Sequence, residues 1–548
     1  MASCKQCTTD FEITDWDRDF YKKVDVPEPT LCPNCRQQRR LAHVNQIHLY
    51  KRKCDATSEE IISMYPPDAP IPVYSQPYWW GDEWDATAYA QEFDFSRPFF
   101  EQWNELQRKV PRQALETSYS LDENSDYTNH AGGNKNCYML FDSDYNWDCY
   151  YGSGNNKSKN CIDNYRIKEC ELCYECVDCV KCYGLKYSQD CDNCSNSAFL
   201  KNCIGCKHCF MCSNLKNKEY FIFNKPYDKE TYEKLIKSLS KHSELQKYFK
   251  DWDEFKLKFP QKYMHGVQNE NVMGDYLVYC KNAEHCFDSM ELWDCKYFYR
   301  SFGSAKDCMD CDECGVNLEN FYDTFMTGHN VQNARFSLQC FNESDDLTYC
   351  YDCFFTQHCF GCVGLMRKKY CIFNKQYSKE EYEKLVPKII EHMRKTGEWG
   401  EFFPVKYSLC AYNESIAQEY YPLTKEEVLK RGWEWCEPDK KEYQPATAQV
   451  PDDSQIIDDS VCNEIFACED CGRNYKIIEQ ELKFYKSQGI PIPKKCFYCR
   501  YQNRFNIRNK RVLYDRKCDK CGIDIKTTYS PDSPWKVYCE KDYLESLE

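Results

Sequence analysis

Pairs of cysteines separated by two residues occur near both ends of the chain. Eight of them form two sets with the same spacing, C-x2-C-x24-C-x2-C: Cys4, Cys7, Cys32 and Cys35, then Cys468, Cys471, Cys496 and Cys499. Four thiolates in two Cys-x-x-Cys turns are typical ligands of a structural zinc ion, because each turn directs two sulfur atoms at one metal. The spacing therefore predicts a zinc site at each end of the chain.

A further group of candidate ligands follows the C-terminal set: Cys518, Cys521, Cys539 and Asp542. Three thiolates and a carboxylate can also complete a tetrahedral zinc shell. Flanking residues match between the two ends, as Leu49-Tyr50 matches Leu513-Tyr514, so one module is used twice. In the first copy the equivalent positions hold Cys54, Thr57, Ser75 and Tyr78. We expect that half to keep its fold without its ligands, which predicts two to three zinc ions per chain.

Both modules carry a recognisable family pattern. Cys4-Lys-Gln-Cys7, Phe20-Tyr21, Pro29 and Cys32-Pro33-Asn34-Cys35-Arg36 follow it, and the C-terminal copy departs from it with Phe497 at the proline position. Residues 1–40 and 465–505 thus resemble the probable zinc-ribbon domain, which is treble-clef-like. The whole chain resembles long bacterial proteins that join such ribbons to a cysteine-rich middle. The resemblance implies a fold and brings no activity.

The middle of the chain has its own repeat. Fourteen cysteines from Cys137 to Cys212 stand at separations that are multiples of three, and a 21-residue period links, for example, Cys149 to Cys170. A repeat of this kind is typical of a solenoid, and turn-forming residues between short apolar stretches favour a parallel β-helix. The predicted fold class is a multi-domain, mainly β protein with helices, in which terminal zinc ribbons flank a cysteine-rich β-solenoid of 21-residue coils in two blocks.

The interior cysteines leave three interpretations open. Cysteine packs as a small buried hydrophobe, which favours free structural thiols. The overlapping Cys-x-x-Cys steps from Cys170 to Cys182 would also suit a metal or an iron–sulfur cluster, although the proline that ends a ferredoxin run is absent. Disulfides are the third alternative, and a reducing compartment disfavours them.

Composition shifts and repeats divide the chain into eight segments. The two solenoid blocks are copies offset by 150 residues, and a helix is predicted to begin after each of them. Asp228 is the predicted cap of the first helix, and Ser378 and Glu381 form a predicted capping box on the second. A third helix is predicted to begin at Thr424. The segments are an N-terminal ribbon (1–55), an aromatic connecting region with a helix (56–115), solenoid block 1 (116–224), a helical insert (225–275), solenoid block 2 (276–374), a helical capping region (375–440), a linker (441–461) and a C-terminal double ribbon (462–548).

Positive charge is concentrated in the two ribbons. The chain has a net charge of −15, yet residues 31–53 contain six Lys or Arg and no acid, and residues 494–517 contain nine against one. These windows predict a contact surface for a protein partner or for RNA or DNA phosphates. The same arginines can instead pair with the acidic middle of the chain. The candidate contact residues are Arg36, Arg39, Arg40, Arg500, Arg504, Arg508, Lys510 and Arg511.

No catalytic motif appears in the chain, since a His-Glu-x-x-His run, a phosphate loop and a nucleophile elbow are all missing. We find no signal-peptide stretch and no apolar run long enough to span a membrane, which predicts a cytoplasmic protein without membrane contact. The sequence therefore predicts a zinc-binding, non-catalytic scaffold whose ribbons contact a protein partner, with nucleic-acid binding as the alternative and a metal-binding solenoid as a weaker one. It predicts no oligomeric state.

Overall fold

The computed structural model describes residues 1–437, 443–453 and 456–547. Positions 441–442 and 454–455 of the predicted linker lie outside the described residues. The α-helices are α1 (Asp15–Lys23), α2 (Pro33–Leu41), α3 (Gln76–Trp79), α4 (Phe99–Lys109), α5 (Lys229–Ser238), α6 (His242–Lys256), α7 (Lys379–Thr396), α8 (Ile416–Tyr420), α9 (Lys425–Lys430), α10 (Glu479–Gln488), α11 (Phe497–Phe505) and α12 (Glu540–Glu545). Short 3-10 turns lie at Ala86–Tyr89, Tyr119–Leu121, Val405–Tyr407, Tyr412–Glu414 and Asp459–Asn463.

The strands of the first half are β1 (Ala2–Ser3), β2 (Asp10–Phe11), β3 (Tyr50–Lys53), β4 (Glu60–Ser63), β5 (Val73–Tyr74), β6 (Arg112–Gln113), β7 (Thr117–Ser118), β8 (Tyr127–Gly132), β9 (Tyr138–Asp144), β10 (Ala198–Lys201), β11 (Phe210–Ser213), β12 (Phe221–Ile222), β13 (Lys225–Pro226), β14 (Gln261–Lys262) and β15 (Gly266–Val267). Those of the second half are β16 (Glu270–Val278), β17 (Lys281–Met290), β18 (Leu292–Ser301), β19 (Ala305–Cys314), β20 (Leu318–Phe325), β21 (Gln332–Arg335), β22 (Asp345–Thr348), β23 (Gln357–Phe360), β24 (Lys369–Ile372), β25 (Lys375–Gln376), β26 (Phe466–Ala467), β27 (Asn474–Tyr475), β28 (Tyr514–Lys517), β29 (Asp524–Thr527) and β30 (Val537–Tyr538).

Two long parallel ladders form the middle of the protein. In the first ladder, residues 117–226, Tyr138 pairs with Tyr150, Tyr150 with Ile162, and Ile162 with Tyr174. In the second ladder, residues 266–376, β15 to β24 pair in chain order within one sheet of eleven strands, which β25 closes in antiparallel fashion. The chain is thus mainly β with helices at the ladder ends and the termini.

The predicted 21-residue coil is wrong. Pairing in the first ladder joins residues twelve apart over most of its length, as Tyr150 to Ile162 shows. In the second ladder the register ranges from eleven, between Glu270 and Lys281, to thirteen, between Leu292 and Ala305. A residue with a left-handed backbone conformation recurs at every third position, for example at Asp163 and Arg166. The backbone therefore bends once every three residues, and several such segments make up one coil of the ladder. Because inward-facing positions recur every three residues, cysteines can stand at any separation that is a multiple of three. The 21-residue period is one such separation, but the strands do not pair at it.

The cysteines of both ladders line their interiors. Cys161 is fully buried, and its thiol donates to the carbonyl oxygens of Lys159 at 3.2 Å and Cys170 at 3.6 Å. Burial raises the pKa of Cys161 well above the usual thiol range, which keeps it protonated and unreactive. All 41 cysteines of the chain are free in this structure. A cysteine suits this position because it is small and can share its proton with a carbonyl of the next turn.

We expect Cys182→Ala to lower the free energy of unfolding by only about 1–2 kcal/mol, since it removes one small buried side chain. Cys182 is 2% exposed, and its thiol donates to Val180 and Cys191 carbonyls. Cys182→Asp should cost far more, because it buries a carboxyl group without a cationic partner. Urea unfolding measures both variants. Fast reaction of most ladder thiols with a thiol reagent under native conditions would contradict this interior packing.

Helices close the end of each ladder, and the predicted caps are confirmed. Asp228 caps α5, Ser378 and Glu381 form a capping box on α7, and Thr424 and Glu427 form another on α9. Tyr232 of α5 packs against the rings of His208 and Tyr220, and Tyr382 of α7 packs in the same way against His358 and Tyr370. The two ladder ends are therefore closed by corresponding helices.

The helix predicted in the aromatic connecting region is α4, and its apolar side is part of the core. Phe99, Trp103 and Leu106 of α4 are fully buried. The ring of Phe99 lies 5.6 Å from that of Phe360 and 5.1 Å from that of Phe373, both in the second ladder. Among the described residues, no helix combines the length and the apolar character that a membrane crossing requires.

Candidate metal centres and docked arginine helices

Three groups of side chains bring four potential ligand atoms within 4.8 Å of one another: Cys4, Cys7, Cys32 and Cys35; Cys468, Cys471, Cys496 and Cys499; and Cys518, Cys521, Cys539 and Asp542. These are the three ligand sets that the spacing predicts. Each of them can hold one metal ion. Among the residues that the structure describes, no other group of three or more His, Cys, Asp or Glu meets this distance.

The sulfur separations suit a tetrahedral ion. The Sγ atoms of Cys7 and Cys32 lie 3.7 Å apart, and so do those of Cys471 and Cys496. Metal–sulfur bonds of about 2.3 Å at tetrahedral angles require sulfur atoms about 3.8 Å apart. In the third group Sγ of Cys521 and Cys539 are 3.9 Å apart, and Oδ2 of Asp542 lies 3.0 Å from Sγ of Cys518. The donors therefore fit one small cation each.

In each group the first Cys-x-x-Cys turn, here called the first knuckle, is followed at once by a residue with a left-handed backbone conformation. Thr8, Gly472 and Gly522 have φ values of 61°, 73° and 78°. The N–H of each donates to the carbonyl of the first cysteine, at 2.9 Å in all three, which folds the intervening residues into a tight turn. Ser58 repeats the turn at φ 64° in the copy that lacks the ligands. This half of the N-terminal module thus keeps the backbone of a metal knuckle, as the sequence predicts.

The second knuckle of each group sits at the start of a helix. Cys32, Cys496 and Cys539 are the N-cap residues of α2, α11 and α12. The positive end of the helix dipole and the free N–H groups there favour a thiolate. Hydrogen bonding from Cys35 lowers the pKa of Cys32 to about 6. Thiol donors hold the pKa of Asp542 at about 2, so that this ligand is anionic at neutral pH.

Acid should release the bound metal. A thiolate whose folded-state pKa is depressed contributes stability at high pH, and that contribution is lost as the pH falls through the folded value. Backbone donors, which outweigh burial, lower the pKa of Cys468 to about 7, and that of Cys32 is about 6. We expect full metal retention at pH 8 and release that begins below about pH 6, because the metal competes with protons for the same sulfur atoms. A metal-sensitive dye follows the release; metal that stays bound at pH 3 would contradict thiolate ligation.

The helix that follows the N-terminal metal group docks on the second ladder. Nε of Arg36 lies 2.8 Å from Oδ2 of Asp310, and Nε of Arg40 lies 2.7 Å from Oδ2 of Asp312. The other arm of Arg40 contacts Asp323 at 2.7 Å. Arg36 and Arg40 are 2% and 0% exposed. These guanidinium groups are thus enclosed between α2 and the ladder.

Arg39 extends the same contact. Its Nη2 lies 3.0 Å from Asp323, and its Nη1 lies 2.6 Å from Glu401, in the segment after α7. All three N-terminal arginines that the sequence proposed as a contact surface are therefore paired with acids of the same chain. We name this set of ion pairs the N-clamp.

The corresponding helix of the C-terminal module docks on the first ladder in the same way. Nε of Arg500 and Nη1 of Arg504 both lie 3.0 Å from Oδ1 of Asp163, and Arg504 also contacts Glu175 at 3.1 Å. The position of Arg500 matches that of Arg36: in each case Nη1 donates to a carbonyl five residues earlier, at Lys495 and Leu31. We name this second set of ion pairs the C-clamp.

The residues after α11 connect the C-terminal module to both ladders. Arg508 contacts Asp178 of the first ladder at 2.8 Å and also pairs with Asp288 of the second. Arg511 joins it on Asp288 at 2.8 Å. Lys510, between them, is exposed. Of the eight candidate contact residues, seven are therefore engaged within the molecule.

The acidic partners of the docked arginines are residues that the sequence pattern did not single out: Asp163, Glu175, Asp178, Asp288, Asp310, Asp312, Asp323 and Glu401. Asp163 and Glu175 are twelve residues apart, and Asp310 and Asp323 are thirteen apart, which are the local pairing registers. Each pair thus occupies neighbouring turns of a ladder. A search for acids at the true register would have found these two pairs.

Each ribbon docks on the ladder that is farther from it in the sequence: the N-terminal ribbon on the second ladder and the C-terminal ribbon on the first. Each ribbon thus docks on a ladder through the helix that begins at its candidate metal group. Comparison of the chain with protein-family models, with curated proteins and with solved structures finds no match.

Proposed function

We propose that the protein is a zinc-dependent, non-catalytic scaffold, in which two β-solenoid blocks are locked together by the terminal zinc ribbons. The observation that carries this proposal is the pair of clamps. Each places arginines of a helix that begins at a candidate metal group against carboxylates of a ladder, as Arg504 lies against Asp163. A ribbon held by zinc is a rigid cap in such an arrangement, and the ladders are the framework that it closes.

Zinc is the metal that the donors favour. Thiolate-rich sets with tetrahedral spacing select zinc among the common divalent ions. Three groups support three zinc ions per chain, the upper end of the predicted range. The 41 free cysteines are compatible with a reducing compartment, which supports a cytoplasmic location. The third alternative, a metal-binding solenoid, has no support among the described residues, where no ladder group meets the ligand distance.

The nucleic-acid alternative has less support than the scaffold. Phosphate binding needs cationic groups that reach solvent, because their interaction replaces bound counterions. Arg40 and Arg504, at the centres of the two basic windows, are both 0% exposed and already face carboxylates. Only Lys510 of the candidate residues is exposed without an ion pair among the described residues.

A protein partner finds a suitable surface on the outside of the first ladder. Successive turns place Lys135, Trp147, Lys159, Glu171 and Tyr183 in one row. Trp147 is 53% exposed and Tyr183 is 46% exposed. Exposed aromatic residues among charges of both signs suit a protein surface, since protein interfaces are enriched in aromatic anchors. A phosphate backbone would favour a row of one positive sign.

The experiment compares metal content, nucleic-acid binding and partner capture on the full chain. We expect three zinc ions per chain by elemental analysis and no binding of single-stranded RNA or DNA at low salt. Partners purified with the protein from its native host should persist after RNase treatment and be lost from a Trp147→Ala, Tyr183→Ala variant. Fewer than one zinc per chain, or nucleic-acid binding that weakens steeply with salt, would overturn the proposal.

A further inference from the structure

A cavity of about 280 Å³ lies where both ladders and the C-terminal module meet. The first ladder contributes Lys201, and His265 lies just before the second ladder. The C-terminal module closes the other side with Asn506, just after α11, and with Trp535, between β29 and β30. The cavity therefore exists only in the docked state of the C-terminal module.

Cationic groups line this cavity, and no carboxylate does. Lys201, His265 and Lys256 belong to its wall, whereas every Asp and Glu is absent from the lining among the described residues. The acids stand behind the cations. Nζ of Lys201 lies 3.0 Å from Asp190, and Nδ1 of His265 lies 3.0 Å from Asp275. The carboxylates thus fix the two cations in position without occupying the cavity.

His265 directs one ring nitrogen, Nε2, at the cavity, and this nitrogen donates to a ligand when the ring is protonated, because Nδ1 already faces Asp275. Its Nε2 makes no hydrogen bond with any residue in the described ranges, and the Asp190 carboxylate stands 3.8 Å away. Burial lowers the pKa of His265, but Asp275 and Asp190 outweigh it and raise the pKa overall. The ring stacks on Tyr276 with centroids 4.3 Å apart, and the hydroxyl of Tyr276 donates to Asp190 at 2.8 Å. The imidazole is thus held rigidly at the wall.

Part of the wall is aromatic. Nζ of Lys201 stands 5.5 Å from the ring centroid of Trp535. Tyr529, buried at 4% exposure, lies beside it. Amide groups of Gln189, Asn506 and Asn509 also line the cavity, as does Ile507. The ring of Trp535 thus gives the cavity a flat apolar surface next to the two fixed cationic groups, Lys201 and His265.

We propose that this cavity binds a small organic anion, with its phosphate or carboxylate group against Lys201 and His265 and a planar ring beside Trp535. The volume equals that of roughly nine water molecules at ~30 Å³ each, which suits a small single molecule and excludes a polymer. Nζ of Lys201 donates to Gln189 and Asp190 and keeps a third N–H, and such a charged donor binds an anion more strongly where the surroundings screen its charge less than water does. A ligand here would contact both ladders and the C-terminal module at once.

The test uses the zinc-loaded full chain and two matched pairs of probes, in calorimetry and thermal unfolding. One pair is adenosine 5′-monophosphate and adenosine; the other is 4-hydroxybenzoate and 4-hydroxybenzyl alcohol. We expect an anion of at least one pair to bind at least tenfold more tightly than its neutral match and to raise the unfolding temperature. Binding of adenosine 5′-monophosphate would indicate a phosphate ligand, and binding of 4-hydroxybenzoate would indicate a carboxylate ligand.

Three variants locate the binding. Lys201→Gln keeps a hydrogen-bond donor for Asp190 and removes the charge, and it should weaken anion binding at least tenfold. Lys256→Gln, at the partly exposed rim of the cavity, should weaken it without affecting folding. Lys207→Gln is the control, because Lys207 is exposed on the first ladder. The proposal fails if neither anion binds at millimolar concentration, if each anion binds no better than its neutral match, or if the cavity variants behave like the control.

Discussion

Asp163→Ala should release the C-terminal ribbon from the first ladder and lower the free energy of unfolding by about 3–5 kcal/mol. Asp163 is fully buried and accepts ion pairs from both Arg500 and Arg504. Its removal leaves two guanidinium groups enclosed without their shared carboxylate, and an unpaired buried charge costs more than the pair contributes. Urea unfolding measures the loss of stability, and limited proteolysis detects the freed ribbon as cleavage between residues 437 and 468.

Two controls make this result specific. Lys510→Ala alters the same basic window at an exposed position, so it should leave both measurements unchanged. Asp310→Ala is the matched change in the N-clamp and should free the N-terminal ribbon instead, because Asp310 pairs with Arg36. Zinc content should stay constant in all three variants. An Asp163→Ala protein that resists protease and denaturant like the parent chain would show that the C-clamp does not hold the ribbon.

Replacement of Cys468 and Cys471 by serine should remove one metal ion per chain and unfold the ribbon from β26 to α11. Binding of a structural zinc ion in a small domain supplies about 10–16 kcal/mol of folding free energy, and its loss removes the link between the two cysteine pairs that hold this ribbon together. Elemental analysis gives the metal content, and amide hydrogen exchange should show loss of protection over residues 466–505 while the second ladder stays protected.

Cys462→Ser is the control for this prediction. Cys462 lies only a few residues before the first ligand and is partly buried, but it belongs to none of the three metal groups. This variant should keep its full metal content and its protection pattern. Unchanged zinc in the Cys468→Ser, Cys471→Ser protein would contradict the assignment of these residues as ligands.

Much of the candidate site can be predicted from local spacing. Cys4 and Cys7 lie within one turn, and the pair Cys32 and Cys35 is close enough in the chain that its spacing specifies a metal site without knowledge of the rest. The capping boxes at Ser378 and Thr424 depend on contacts between residues three apart, and both are present. Mainly β structure with helices was also predicted correctly, since turn-forming residues recur between short apolar stretches.

The ladder register and the partners of the arginines depend on distant contacts. The backbone bends at every third residue, so the cysteine spacing is compatible with several coil lengths, and only pairing between strands selects eleven to thirteen residues per coil. Arg36 lies 274 positions from Asp310, and Arg500 lies 337 positions from Asp163. A run of arginines after a zinc knuckle reads equally well as an exposed basic face or as a buried clamp. The choice between them requires acids of another segment to be brought within ion-pair distance, and only the packing of the ribbons on the ladders does that.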